Sequence, residues 1–84
     1  MAKLEMYKEV ALTKDIPAEN LRKGDVATLI DRVPHPSGGE EGAVLELFNV
    51  VGESIAVIVV PLSAIAPLRP DQMPAVRPLL KGAA

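Results

Sequence analysis

Apolar and β-branched residues recur along this chain in short runs, and proline, glycine or polar clusters separate each run from the next. Runs of this length and composition are typical of β-strands. The pattern predicts strands over residues 7–13, 26–33, 43–50 and 54–60, then a single 3₁₀ turn at 61–64 and a very short fifth strand at 65–68. In the third strand, alternation places Leu45 and Leu47 on the face opposite to Val44, Glu46 and Phe48.

Proline and glycine mark the corners between these runs. Pro17 disfavours helical backbone at the residue before it, so residues 14–25 are expected to form an ordered loop rather than a helix. Gly24 is expected to adopt a positive φ at the end of that loop. The prolines and glycines of residues 34–42 end the second strand, and Gly52 predicts the turn before the fourth.

Short strands at this spacing, with one long loop early in the chain, predict an all-β fold. The expected architecture is a small SH3-like barrel of four to five short antiparallel strands with an apolar C-terminal tail. Residues 1–68 are assigned to the barrel, with residues 1–5 frayed, and residues 69–84 to a tail that is flexible or docked on the barrel or on a partner. The 84 residues and 49% hydrophobic content fit one domain with its own core.

The fourth predicted strand is apolar on both of its faces. A barrel strand buries only its inward face, so the other row needs a cover: the chain's own tail, a second copy of the protein, or a different protein. The row assigned here to partner binding is Ala56, Ile58 and Val60, and the alternate row is Ile55, Val57 and Val59.

The predicted tail carries apolar residues at helix-like intervals, namely Met73, Val76, Leu79 and Leu80. Pro74 is suited to open a turn of helix, whereas Pro78 would interrupt it. These side chains either bind a surface or belong to a flexible terminus, and both alternatives stay open.

Charge and aromatic content argue against a nucleic-acid binder. The net charge is −2; residues 1–68 hold six basic and ten acidic side chains, whereas residues 69–84 carry a net charge of +2. Nucleic-acid-binding proteins usually present a basic face, because phosphate neutralisation supplies most of their affinity. Tyr7 and Phe48 are the only aromatic residues, too few for a base-stacking platform.

The composition also bears on compartment. The chain has no cysteine, which excludes a disulfide framework and a thiolate metal site. No apolar run is long enough to span a bilayer, and the first residues lack the apolar stretch of a signal peptide. A cytoplasmic protein without membrane contact is expected.

Several short motifs are shared with one bacterial family. They are Leu12-Thr13-Lys14-Asp15-Ile16-Pro17, Lys23-Gly24-Asp25, Gly52-Glu53 and Leu68-Arg69-Pro70. Over about residues 9–70 the chain resembles DUF4926, a small bacterial domain of unknown function. Ala27 stands where that family tends to have glycine, Leu45-Glu46-Leu47-Phe48 replaces a more acidic strand, and the loop at 34–42 is longer. The resemblance implies an SH3-like barrel without established biochemical activity, and an antitoxin- or immunity-type pairing with another small protein.

The candidates for catalysis or metal binding are weak. His35 is the only histidine, and the nearby Glu40 and Glu41 do not complete a ligand set. No serine lies in a nucleophile-elbow sequence, and no cysteine is available as a nucleophile. Gly38-Gly39 lacks the Gly-Lys-Ser/Thr that completes a phosphate loop. We therefore expect no enzyme activity, cofactor, metal or small-molecule substrate.

The stretch Arg22-Lys23-Gly24-Asp25 allows two interpretations. A basic loop followed by Gly-Asp and a β-branched strand is similar to the RNA-contacting loop of KOW-type barrels. Weak nucleic-acid binding would then use Arg22, Lys23 and Arg32, with Arg69 and Arg77. In the favoured interpretation Gly24 only turns the chain, and Asp25 accepts hydrogen bonds from nearby backbone N–H groups.

The sequence therefore predicts a non-enzymatic protein-interaction module that self-associates, expected as a homodimer, or binds a protein partner. The residues assigned to that contact are Ala56, Ile58, Val60, Met73, Val76, Leu79 and Leu80. A weak RNA- or DNA-binding barrel is the alternative. A subunit of a larger enzyme, without chemistry of its own, would use the same surface for a different partner.

Overall fold

The computed structural model describes residues 4–79, and the regular structure within them is strand or short 3₁₀ turn. The strands are β1 (Glu9–Leu12), β2 (Val26–Val33), β3 (Gly42–Phe48), β4 (Ser54–Pro61) and β5 (Ile65–Pro67), with 3₁₀ turns at Pro17–Glu19 and Leu62–Ala64. The predicted all-β class is confirmed, as is the 3₁₀ turn before the last strand. No helix among the described residues has the length and apolar character needed to cross a membrane.

Three strands are shorter than the hydrophobic pattern predicts, namely β1, β3 and, by one residue, β5. β1 starts only at Glu9, because Tyr7 lies in a turn with a φ of 61°. β3 ends at Phe48, because the side chain of Asn49 accepts hydrogen bonds from the N–H groups of Val51 and Glu53 and closes the turn to β4.

The strands form one antiparallel sheet in the order β4-β3-β2-β1-β5. β1 therefore lies between β2 and β5, with Val10 opposite Ala27 on one side and Pro67 on the other. The pairing of β2 with β3 shifts register between Leu29 and Asp31. β4 and β5 are the two edges of the sheet.

The core lies on one face of this sheet and follows strand alternation. Val10, Leu29 and Leu45 are its largest fully buried side chains. Leu45 and Leu47 are buried together, while Phe48 is exposed, so the predicted alternation of β3 is confirmed. Leu4 packs against the same core, which corrects the expectation of a frayed end at this position.

The loop between β1 and β2 is ordered, as predicted, and contains one 3₁₀ turn that the sequence did not reveal. Pro17 occupies the start of this turn, where its fixed φ and missing N–H are tolerated. Ile16 and Leu21 pair across the turn through backbone hydrogen bonds of 2.9 and 3.1 Å. Leu21 is thereby held in the core, and the chain is aimed into the corner that precedes β2.

Candidate functional site

The two faces of β4 lie in different environments. Ile58 and Val60 are 8% and 2% exposed and belong to the core, and Ala56 is half-buried against it. Val57 and Val59 are 57% and 59% exposed. The structure thus corrects the expected partner-binding row: Ala56, Ile58 and Val60 fill the protein's own core, and Val57 and Val59 of the alternate row face outward.

Valines from three strands continue this outward surface. Val59 lies opposite Val44 of β3. Val59 Cγ1 and Val33 Cγ2 stand 2.9 and 3.0 Å from the position that a Cβ on Gly42 would occupy. The missing side chain of Gly42 therefore lets a β2 valine and a β4 valine approach each other across β3. We refer to Val33, Val44, Val57 and Val59 as the valine face.

β4 is also an edge strand with little protection. Among residues 4–79 its only strand neighbour is β3. It is eight residues long, carries no charged side chain, and has proline only at its last position, Pro61. The opposite edge, β5, has three residues and ends in Pro67. The valine face thus borders the long, uncharged edge of the sheet.

The tail is partly docked on the domain. Residues 72–79 have no regular secondary structure, so the helical turn that Pro74 is suited to open does not form. Leu79 is half-buried and packs against the core, whereas Met73 and Val76 are exposed. Leu80, the fourth apolar residue assigned to the tail, lies outside the described residues.

An open groove of about 920 Å³ lies between the tail and the sheet. Its apolar lining includes Val26, Phe48, Ile55 and Val76. Ile55, which the sequence placed on the same row as Val57 and Val59, is half-buried beside this groove. Ile55 also packs against the core, next to the register shift of the β3–β4 ladder, so only Val57 and Val59 of this row face outward.

Arg77 fastens the tail to the corner before β2. Its Nε donates to Asp25 Oδ1 at 3.1 Å, and one terminal nitrogen donates to Asp25 Oδ2 and to the carbonyl oxygen of Asn20. Partial burial raises the pKa of Asp25, but hydrogen bonds from the Arg77 side chain and the Arg22 backbone outweigh burial and hold this pKa below its ordinary value. The same contact with Asp25 raises the pKa of Arg77.

The stretch Lys23-Gly24-Asp25 forms a tight corner. Gly24 has a φ of 93°, and its N–H donates to the carbonyl oxygen of Leu12 at 2.8 Å. Asp25 Oδ2 accepts the N–H of Arg22 at 2.7 Å. The predicted positive φ and the predicted capping by Asp25 are both confirmed.

Four of the five cations considered for nucleic-acid binding, Arg22, Lys23, Arg69 and Arg77, line the groove between the tail and the sheet. Arg22 and Lys23 are exposed at the corner, whereas Arg32 lies near the other end of β2. Arg32 pairs with Glu41 at 2.6 Å. Arg69 and Arg77 are likewise paired, with Asp71 and Asp25. Acidic partners therefore offset three of the five positive charges, and Arg32 lies apart from the other four cations.

The acidic side chains after His35 also have partners. Glu40 accepts the N–H of Ser63 at 2.7 Å, and hydrogen bonds from Ser63 lower the pKa of Glu40. Glu41 pairs with Arg32, and His35 Nδ1 accepts the N–H of Ser37 at 3.0 Å. Within residues 4–79, no three His, Asp or Glu side chains are placed to hold a metal ion.

Sequence reasoning missed the contact between Arg77 and Asp25. The one signal that pointed to it was the opposite net charge of the tail and the remainder of the chain. No family model, curated protein or solved structure matches this chain. The resemblance to DUF4926 therefore stays a prediction, and function is argued from the surfaces described above.

Proposed function

We propose that this protein is a non-enzymatic protein-interaction module that makes its contact through the valine face. The observation that carries the proposal is the exposure of Val57 and Val59 on an uncharged strand. Single exposed valines are common on protein surfaces. Here two of them stand on one uncharged strand, with Val59 opposite Val44 and Val57 opposite Glu46 of the next, and adjacent exposed valines of this kind are typical of a contact surface.

The valine face offers a moderate binding free energy. Complete burial of a valine contributes about 1.5–3 kcal/mol, so the exposed halves of Val57 and Val59 supply about 1 kcal/mol each. Valine loses little rotamer freedom on binding, because its χ1 is already restricted. Lost translation and rotation of the partner oppose association. A stable complex therefore needs contacts in addition to these two side chains.

The tail supplies a second surface for the same function. Met73 and Val76 are exposed and line the groove, and Leu79 and Arg77 hold the tail in place. Methionine adapts its shape to different surfaces because its side chain is unbranched and flexible. A protein bound at the groove would contact both tail residues.

A capture experiment from the native host tests this function. Tagged wild-type protein is compared with Val59→Lys and with Val51→Lys, which changes a still more exposed valine in the β3–β4 turn. We expect a stoichiometric protein, either a different chain or the untagged protein itself, that survives high salt. Its recovery should fall about tenfold with Val59→Lys and stay unchanged with Val51→Lys.

Two results would contradict the proposal. Equal recovery of protein by all three forms would remove the valine face from the contact. Recovery of nucleic acid that elutes with salt, and whose retention depends on Arg22 and Lys23, would instead indicate a nucleic-acid-binding function at the corner.

A further inference from the structure

The backbone of β4 has hydrogen-bonding groups that face away from the sheet. The N–H of Leu62 donates to the carbonyl oxygen of Glu41 at 2.9 Å. This bond shows which of the opposite residue pairs in the β3–β4 ladder are hydrogen-bonded. Hydrogen-bonded pairs alternate along an antiparallel ladder, so Ile58 and Val60 direct their backbone groups toward β3. Val57 and Val59 then direct their N–H and C=O groups toward the free side.

The position of Pro61 agrees with this alternation. Pro61 lies opposite Gly42 at a pair that is not hydrogen-bonded, so its missing N–H costs the β3–β4 ladder nothing. The missing donor instead falls on the free side and ends the pairable stretch there. Residues 56–60 are therefore left as an open edge among the described residues.

From residue 56 to residue 60 this edge lacks the devices that usually prevent strand addition, and its one register shift lies at the start of the strand, between the Phe48/Ser54 and Leu47/Ala56 pairs. Proteins protect their edges with short strands, charged side chains, internal proline or covering segments. β5 is protected by its length of three residues and by Pro67. β4 has neither a charged side chain nor an internal proline along its eight residues. A strand can therefore add to β4, and its backbone bonds would supplement the moderate contribution of the valine face.

We infer that the occupant of this edge is β4 of a second copy of the chain, paired antiparallel about a twofold axis. The inference rests on the proposed function and specifies its partner. An uncharged, β-branched strand meets its own copy without placing like charges opposite each other, and an antiparallel pair of identical strands closes with twofold symmetry.

The alternation of backbone groups along β4, which point toward β3 at one residue and toward the free side at the next, selects one register for the pair. With Ile58 at the twofold axis, Val57 of each copy lies opposite Val59 of the other, and each pair exchanges hydrogen bonds in both directions. The four valine side chains then lie side by side on the outward surface, so the valine faces of the two copies become one continuous patch. The proposed assembly is a single sheet that runs through both copies.

The first test uses proline to separate backbone pairing from side-chain contact. Val59→Pro removes a free-side N–H and leaves the β3–β4 hydrogen bonds in place. Sedimentation velocity should show a dimer for the wild type and for Val51→Lys. For Val59→Pro we expect the dimer dissociation constant to rise at least about tenfold. The NMR signals of the core residues should keep the chemical-shift dispersion of the folded protein.

The second test does not depend on how well Val59→Pro folds. The chain contains no cysteine, so introduced thiols are the only ones present. Val57→Cys mixed with Val59→Cys should form a disulfide-linked dimer on oxidation, because a hydrogen-bonded pair has Cα atoms about 5.5 Å apart, within disulfide range. Val51→Cys mixed with Val59→Cys should not.

The outcomes separate this inference from the proposed function. The wild-type protein could be a monomer at high concentration while Val59→Lys still abolishes capture of another protein. That result would overturn the inference that a second copy is the partner, and it would leave the proposed interaction module standing. A monomer whose Val57 and Val59 amides exchange slowly with solvent would show that the chain itself covers the edge, which also overturns the inference. A dimer that Val59→Pro does not weaken would place the contact elsewhere.

Discussion

Arg77 and Asp25 form an ion pair between the tail and the corner before β2, with Arg77 Nε 3.1 Å from Asp25 Oδ1. The same carboxylate accepts the N–H of Arg22. Asp25 therefore stabilises two parts of the structure, namely the corner before β2 and the docked tail. Arg77 stabilises only the second, because its contacts are with Asp25 and with carbonyl oxygens.

Substitution of the two residues should separate these contributions. Asp25→Ala leaves the N–H of Arg22 without its charged acceptor and is expected to lower the free energy of unfolding by about 1–2 kcal/mol. Arg77→Ala should lower it less, while the NMR signals of residues 72–79 move toward random-coil values in both variants. Chemical denaturation and heteronuclear NMR measure the two effects. An equal loss of stability would show that Asp25 acts through the tail alone.

The anchoring of the tail should depend on pH. The folded pKa of Asp25 lies below its ordinary value of 3.8, so the docked tail favours the ionised carboxylate. The stabilisation is present above pH 3.8 and is lost as pH falls through the lower, folded pKa. NMR signals of residues 77–79 should shift to undocked values in that range. In Asp25→Asn these signals should already be undocked at neutral pH and should not change on acidification.

Gly24 should tolerate substitution poorly because of its backbone alone. No atom lies within 4 Å of a Cβ built at this position, but its φ of 93° is strained for any L-residue. Gly24→Val should destabilise the protein by about 1–3 kcal/mol, and Gly24→Asn by less, since asparagine accepts positive φ more readily. Thermal unfolding measures both variants. Equal melting temperatures for wild type and Gly24→Val would refute this account of the corner.

The two rows of β4 should respond differently to the same substitution. Val60→Ala removes two buried methyl groups and should cost about 2 kcal/mol of stability. Val59→Ala should change the stability of the dilute protein by less than about 0.5 kcal/mol, because the side chain is largely exposed. Urea denaturation of both variants checks which row faces the core, and the reverse order would invert the assignment.

Local sequence pattern predicted the strands well but left the faces of β4 undetermined. The runs around Leu29 and Leu45 were recognisable because proline and glycine bound them on both sides. The rows of β4 are equally apolar, so alternation alone does not say which one faces the core. Pairing with β3 decides this, because Val60 lies opposite Ala43, which is fully buried.

The candidate surfaces show the same division between local and long-range information. The corner at Gly24 and Asp25 was predictable, because glycine and aspartate act there on backbone groups a few residues away. The tail was not. Its contact with the domain depends on the pairing of Arg77 with Asp25, which are 52 residues apart in the chain. A single long-range pair of this kind produces no periodic pattern in the sequence.

The place of β1 in the sheet has a consequence for the order in which the protein is built during translation. β2, β3 and β4 follow one another in the chain and are neighbours in the sheet, so each can pair as soon as it emerges from the ribosome. β1 is made first, yet its second neighbour, β5, does not exist until residues 65–67 have been synthesised. Until then the nascent chain carries Val10 and Leu12 on a strand that is unpaired on one side, and the core is completed only after β5 has joined the sheet.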